Sequence, residues 1–527
     1  MKRLAALLLA AALCCSLLCG CSKDAVSFVY YTADTITTLD PQLASTPAEL
    51  TAVKNMFAGL YRLDENGRAV ADRAAKTEVS ADGLVYTFTL ASGDAFDDGD
   101  KVHIPVTAAD YVFALRRALD PATGCPTARS FLAIAGAAEV LAGTADPSTL
   151  GVQALSDSEL RITLAAADDG LAVKLAGAAA MPCNETFFDS TNGAYGLSLA
   201  AILGNGAFQP TAWSADKGLT LRRLTNNSGA LVDRIRLVPE DGERTAADRL
   251  SAGLQDGALV AGGSSALDDA GYPAQTFETT VWMLVFNCEN PSLANLSVRQ
   301  ALAAVARLSA DDLSGQAALS AADGLVPGGA LLTDGSSYRS AAKDVLPVLA
   351  AAQSYPLYRV GLSELGVDKL SGLKVLVPAD APWDTLYPLI NQRWQRGLSA
   401  FFSVETLTAD ELAKRVAKGD FDMAVLPVTM TASDPGSLLS AFLSSDSGNL
   451  ARYRSAAYDE LVTRALAVTT AAGQADAWRS AEQQLLSDAA VVPLAFQKNS
   501  FYLSPKLTGI VVSPFGPVLD LSAAEKK

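Results

Sequence analysis

The sequence predicts an α/β protein of two or three lobes. Its 527 residues are too many for one ordinary core. Half of them are apolar and 19% are charged, the balance of a folded chain. Strand signals alternate with helical stretches of about 10–15 residues, the pattern of α/β units.

The elements follow in order. Phe28-Val29-Tyr30-Tyr31 reads as a first strand, and the stretch through Asn55 to Tyr61 as a helix. Ser80-Ala81-Asp82-Gly83 is a turn into Leu84–Leu90, where alternation gives one apolar face. Thr107 opens a helix as N-cap, with Asp110 at N3 and a stripe of Tyr111, Ala114, Leu115 and Ala118. Asp157–Leu164 is a further strand. Thr279–Asn287 is a nearly continuous apolar strand, the kind buried on both faces. Val298, Ala301, Leu302, Val305 and Leu308 then recur at helical spacing. Leu373–Val377 predicts a strand, Trp383 to about Gly397 a helix, and Phe421–Val428 another strand. The Ser-, Gly-, Ala- and Asp-rich stretch 309–345 reads as a long surface connection.

The N-terminus is a separate object. Lys2 and Arg3 precede the apolar stretch Leu4–Leu18, which has signal-peptide length. It ends Leu18-Cys19-Gly20-Cys21, similar to a bacterial lipobox, in which the Cys after a small residue is acylated. Residues 1–20 are therefore read as a lipoprotein signal peptide and Cys21 as the lipid-attachment site. Acyl chains would supply the membrane affinity.

Composition excludes several functions. A formal net charge of −16 repels phosphate backbones, so nucleic acid is not an expected partner. His103 is the only histidine, so a histidine metal cluster is impossible. Beyond the leader and Cys21, three cysteines remain, Cys125, Cys183 and Cys288, without metal-ligand spacing. No phosphate loop, dinucleotide fingerprint or nucleophile elbow appears. Ser-x-x-Lys at Ser214/Lys217 and Ser340/Lys343 lacks the companion motifs of a serine hydrolase. Asp97/Asp98 and Asp311/Asp312 read as solvated residues of turns or helix starts. No catalytic residue, metal or cofactor is expected.

Several runs are collinear with one known family. These are Thr38-Leu39-Asp40-Pro41, Asn55–Leu60, Ser80–Leu90, Pro105–Val112, Asn205-Gly206-Ala207-Phe208, Val298-Arg299-Gln300-Ala301-Leu302, and Asn449–Ser455 with Tyr458–Leu461. Ala481–Leu485 and Val492-Pro493-Leu494 close the series. Together they span the mature chain, which resembles the family 5 extracellular solute-binding proteins of ABC importers, the oligopeptide- and dipeptide-binding lipoproteins.

The resemblance implies a two-lobed periplasmic-binding-protein-like fold with a hinge and an extra small α/β domain. Lobe I would comprise 22–60, 185–279 and 488–527, the extra domain 61–184, and lobe II 280–487. It implies a non-enzymatic, monomeric, extracytoplasmic receptor, anchored to the bacterial membrane by lipid. Such a receptor captures peptides or a peptide-like solute by hinge closure and delivers them to ABC permease and ATPase subunits. A nickel- or metal-chelate-binding member of the family is one alternative. A surface hydrolase and a signalling lipoprotein are others.

The resemblance also places ligand contacts. Ser45 and Thr46 follow the Leu-Asp-Pro run on lobe I. Trp282 and Met283 lie on the strand entering lobe II, where Trp282 could stack on a ligand or belong to the core. In peptide-binding members the strand before an Ala-Asp-Tyr-x-acid-Pro motif lines the cleft, and its first Asp holds the peptide's ammonium. In FDMAVLPVTMTASDPGSLL the acid-Pro falls on Asp434-Pro435, the aromatic position near Val428, and the amine-gripping position on Thr431. Threonine brings no charge. Asp434 is thus a turn residue, or it replaces the missing acid, or the ligand lacks a free amine.

Overall fold

A computed structural model describes residues 26–527 other than 66, 169, 225–231, 344, 348–350, 380, 381, 431, 447, 469, 516 and 517. The leader, Cys21 and Thr431 lie outside the described residues. Among the described residues no helix is long and apolar enough to cross a membrane.

The first lobe is built on a four-stranded sheet ordered Ser27–Thr32, Arg234–Pro239, Gly218–Arg223 and Phe208–Ser214. Period-2 burial in Ser27–Thr32 puts Phe28, Tyr30 and Thr32 inward. Helix Pro47–Met56 packs into the same core through Ala48, Ala52, Val53 and Met56.

Residues 60–180 interrupt this lobe in sequence and have a core of their own. Their sheet runs Ala74–Val79, Val85–Leu90, Glu159–Thr163, Val152–Ser156. Helix Ala108–Leu119 lies against it, with the Thr107–Asp110 capping box formed and Tyr111, Ala114, Leu115 and Ala118 buried. Asp40 of the Leu-Asp-Pro run ties this inserted body to the first lobe. It is 1% exposed and its Oδ2 accepts from Arg117 Nη2 at 2.7 Å. The Arg117 guanidinium also lies 4.2 Å from the Phe188 ring centroid.

The second lobe is organised by a seven-stranded sheet, in which Leu319–Ala321 is a short branch on Val491–Leu503. The remaining order is Gly257–Ala261, Val491–Leu503, Ala274–Phe286, Met423–Thr429, Lys374–Pro378, Ser403–Leu407. Ala274–Phe286 and Val491–Leu503 are 13 residues each and pair antiparallel over most of their length. Phe277 and Phe501 contact the first lobe's core, whereas Met283, Val285 and Phe496 belong to the second's. Both faces of the second lobe's sheet are covered, which explains the continuous apolar run.

Two readings of the sequence change. The helix expected through Asn55 to Tyr61 ends at Met56, where Gly206 N donates to Met56 O and Asn205 takes the Ala58 backbone, and Tyr61 opens a strand. The stretch 309–345 is not a surface connection: Leu325, Val326, Ala330, Tyr338 and Ala342 are fully buried. Glu482, itself 0% exposed, accepts from Leu325 N at 2.6 Å, Val326 N at 3.0 Å, Tyr338 Oη at 2.6 Å and Arg339 Nη1 at 2.8 Å. The glycines suggested a flexible surface but serve close packing. A Cβ at Gly324 would meet Arg339, and one at Gly329 would lie 2.6 Å from Glu278 O. Asn205 of the Asn-Gly-Ala-Phe run joins three segments. Its Oδ1 accepts from Ala58 N at 3.0 Å, and its Nδ2 donates to Ala58 O and Asp94 Oδ2, each at 2.9 Å.

Candidate functional site

The strand Met423–Thr429 changes character along its length. Met423 to Leu426 are buried, Pro427 and Thr429 are exposed, and Val428 is half-buried. On one edge it pairs with Ala274–Phe286 throughout, from Phe286↔Met423 to Thr280↔Thr429. On the other edge Lys374–Pro378 pairs only Met423 and Ala424. Among the described residues, Val425–Thr429 thus has no strand on its outer edge. Such an edge can accept an extended chain by backbone hydrogen bonds. Pro427, which has no N–H, is tolerated there because edge positions need not donate to a ladder.

A polar and aromatic wall adjoins this edge. Trp282 sits opposite Pro427 and Thr280 opposite Thr429, with the two threonine hydroxyls 2.8 Å apart. The half-buried Trp282 donates from Nε1 to Gln497 Oε1 at 2.7 Å, and Gln497 Nε2 donates to Asn499 Oδ1 at 3.0 Å. The Trp282 ring lies 4.9 Å from that of Trp383, which starts helix Trp383–Leu398 and is fully buried. Trp282 therefore has a core side and a half-open side. A cavity of about 490 Å³ lies where the two long strands leave the first lobe, lined by Glu65, Gln275, Phe277, Glu278, Lys498 and Phe515 among others. A second, of about 340 Å³, lies past the far end of Ala274–Phe286, around Arg299, Arg452 and Asp488. It touches none of the wall residues.

Asp434 is fixed by its turn. Its Oδ1 accepts from Ser437 N at 3.1 Å, and Ser437 Oγ donates to Ala432 O and Asp434 O. Burial pushes the carboxyl above its ordinary range, the Lys174 ammonium and Ser437 N–H oppose this, and Asp168 adds to it. Lys174 Nζ bonds Asp168 Oδ2 at 2.7 Å. Both belong to the inserted body, so Asp434 stands at its junction with the second lobe.

The other expected contacts are distributed unevenly. Met283 is 0% exposed and packs under the sheet, so it offers a ligand no surface. Thr46 is the N-cap of Pro47–Met56, its hydroxyl accepting from Glu49 N. Ser45 is exposed beside it. Glu49 returns the contact to Ser45 N at 3.1 Å and Thr46 N at 3.2 Å, and also accepts from Thr37 N at 2.9 Å. Burial raises the Glu49 carboxyl, but hydrogen bonds from Thr37, Ser45 and Thr46 outweigh it and hold the carboxyl below its ordinary range. Trp282 and Val428 meet across one strand pair, where Val428 is opposite Val281. Sequence reasoning missed Thr280, Thr429, Trp383, Gln497 and Asn499. Their alternation was visible, but strand register was not.

The sequence profile described as "Bacterial extracellular solute-binding proteins, family 5 Middle" matches residues 68–449, more than half of the chain. The chain belongs to the family 5 bacterial extracellular solute-binding proteins. This family 5 protein is similar to the dipeptide-binding protein of Lactococcus lactis, with 26% identity covering 96% of each chain. Among solved structures, it resembles Listeria monocytogenes OppA bound to peptide, with a TM-score of 0.79 and 21% identity, covering 96% of this chain and 100% of that one. It also resembles the Escherichia coli murein tripeptide binding protein MppA, with a TM-score of 0.76 and 21% identity, covering 95% and 97%. The unliganded open form of MppA gives 0.63 at 21% identity, covering 95% and 96%. The fold of this family 5 protein is therefore two-lobed, of the periplasmic-binding-protein type.

Proposed function

We propose that the protein is the lipid-anchored, extracytoplasmic substrate-binding component of an ABC importer. It takes peptides or a peptide-like solute in extended form and holds them between two hinged lobes. The observation that carries this reading is the unpaired outer edge of Val425–Thr429 beside the Trp282–Gln497 wall. Backbone pairing at such an edge confers affinity with little side-chain selection. The two long strands shared by both lobes would act as the hinge. The names of the relatives support the peptide class. Membrane attachment rests on the run ending at Cys21.

Mass spectrometry of solutes released from the purified protein tests the class directly, and peptides of mixed sequence are the expected result. Asp434→Ala separates the roles left open for that residue. If Asp434 receives a ligand amine, the variant loses at least about tenfold in affinity for free-amine peptides and little for their N-acetylated forms. Equal affinity for both by the wild type and the variant leaves Asp434 as a turn residue.

A further inference from the structure

The inserted body and the second lobe both carry excess negative charge. Residues 61–184 hold 10 Lys and Arg against 17 Asp and Glu, a formal −7. Residues 280–487 hold 16 against 21, a formal −5. These bodies repel, yet Arg68 and Arg129, cations from separate segments of the inserted body, reach across to the second lobe, as does the Lys174–Asp168 pair. Arg129 Nη2 donates to Ser445 O at 3.3 Å, and its Nε lies 3.8 Å from Asp446 Oδ2. Lys174 and its partner Asp168 both stand near Asp434 and act on it with opposite sign, so this pair adds little net attraction. Arg68 points at the turn of Gly335, where its Nε lies 3.8 Å from the position a Cβ would take. Nearby, Gln275 Nε2 donates to Glu65 O at 3.3 Å. None of these contacts is needed to fold either body, because each body has its own core.

We propose that Arg129 and Asp446 form an electrostatic clasp that draws the inserted body onto the second lobe and populates the closed arrangement before any ligand arrives. The proposal rests on the hinge reading above. Range decides which charge effect wins. The repulsion is spread over whole bodies, and at physiological ionic strength charges beyond about 8 Å are largely screened. The Arg129–Asp446 pair acts at 3.8 Å, so it outlasts the repulsion until salt is high enough to screen it as well. The higher TM-score to Listeria OppA bound to peptide, 0.79, than to unliganded open MppA, 0.63, supports a closed arrangement.

The test is small-angle X-ray scattering of ligand-stripped protein at 0.15 M and 1 M salt, with and without a saturating tryptic casein digest as probe. The variants are Arg129→Glu, Asp446→Arg and the charge swap that combines them. Arg129 is 43% exposed at its side chain, so its reversal leaves folding intact. In the ligand-free state, each single variant and 1 M salt should enlarge the radius of gyration, and the swap should restore the wild-type value. The exposed pair should shift the open-to-closed ratio by up to about fivefold. Identical ligand-free radii for all proteins at both salts, followed by compaction with the digest, would overturn the clasp and leave the hinge standing. A radius that no variant, salt or digest changes would overturn the hinge reading itself.

Discussion

Glu49 shows how one carboxylate can order a loop. It receives backbone N–H groups from Thr37, Ser45 and Thr46, and so fixes the segment that presents Ser45. Its folded pKa lies below the ordinary value, so its stabilisation is present above the unfolded pKa and fades as pH falls through the folded one. Glu49→Gln should cost about 2 kcal/mol at pH 7, and the deficit should shrink in acid, as urea unfolding at several pH values would reveal. Asp434 has the opposite sign. Its folded pKa is raised, so its ionisation opposes folding as pH rises above the unfolded value. Asp434→Asn should stabilise the protein at pH 7 and lose that advantage near pH 3, checked by the same titration. The sequence disclosed Asp434 as a turn-forming residue before a proline. It did not disclose Lys174 or Asp168 beside it, because they approach from more than 250 positions earlier in the chain.

Elements were legible in proportion to how locally they are determined. The helix after Thr107 and the strand within Thr279–Asn287 follow from caps and periodicity, and both form. The stretch 309–345 was misread because its order comes from elsewhere, above all from Glu482 on the distant helix Ala471–Ser487. Glycine and alanine there signal tight packing as readily as looseness. Removing the cation that balances Glu482 isolates this effect. Arg339→Met would leave a buried carboxylate short of its partner, and should cost about 3–5 kcal/mol in urea unfolding. The free edge of Val425–Thr429 was equally illegible. It exists because Lys374–Pro378 stops pairing after Ala424, a matter of register between strands about 50 residues apart.

At the scale of the molecule, two of the collinear family runs prove to be joints. Asp40–Arg117 locks the inserted body to the first lobe, and Asn205 holds Ala58 and Asp94 together. Collinear runs could therefore reveal the architecture while leaving the solute unnamed, since Asp40 and Asn205 bind neighbouring segments and not the open edge of Val425–Thr429. The proposed attachment at Cys21 carries its own expectation. Cys21→Ala should move the protein from the membrane pellet to the soluble fraction without altering its melting temperature, as fractionation and thermal unfolding would show.

An open sheet edge near Trp282 would pair with another copy of itself as readily as with a solute. Pro427 stands in that edge and cannot donate a backbone hydrogen bond. It would thus guard against fibre-like stacking whenever the edge is unoccupied and the protein is concentrated. Pro427→Val should keep the fold yet make concentrated, unloaded protein self-associate, which light scattering would detect as growth that added solute suppresses.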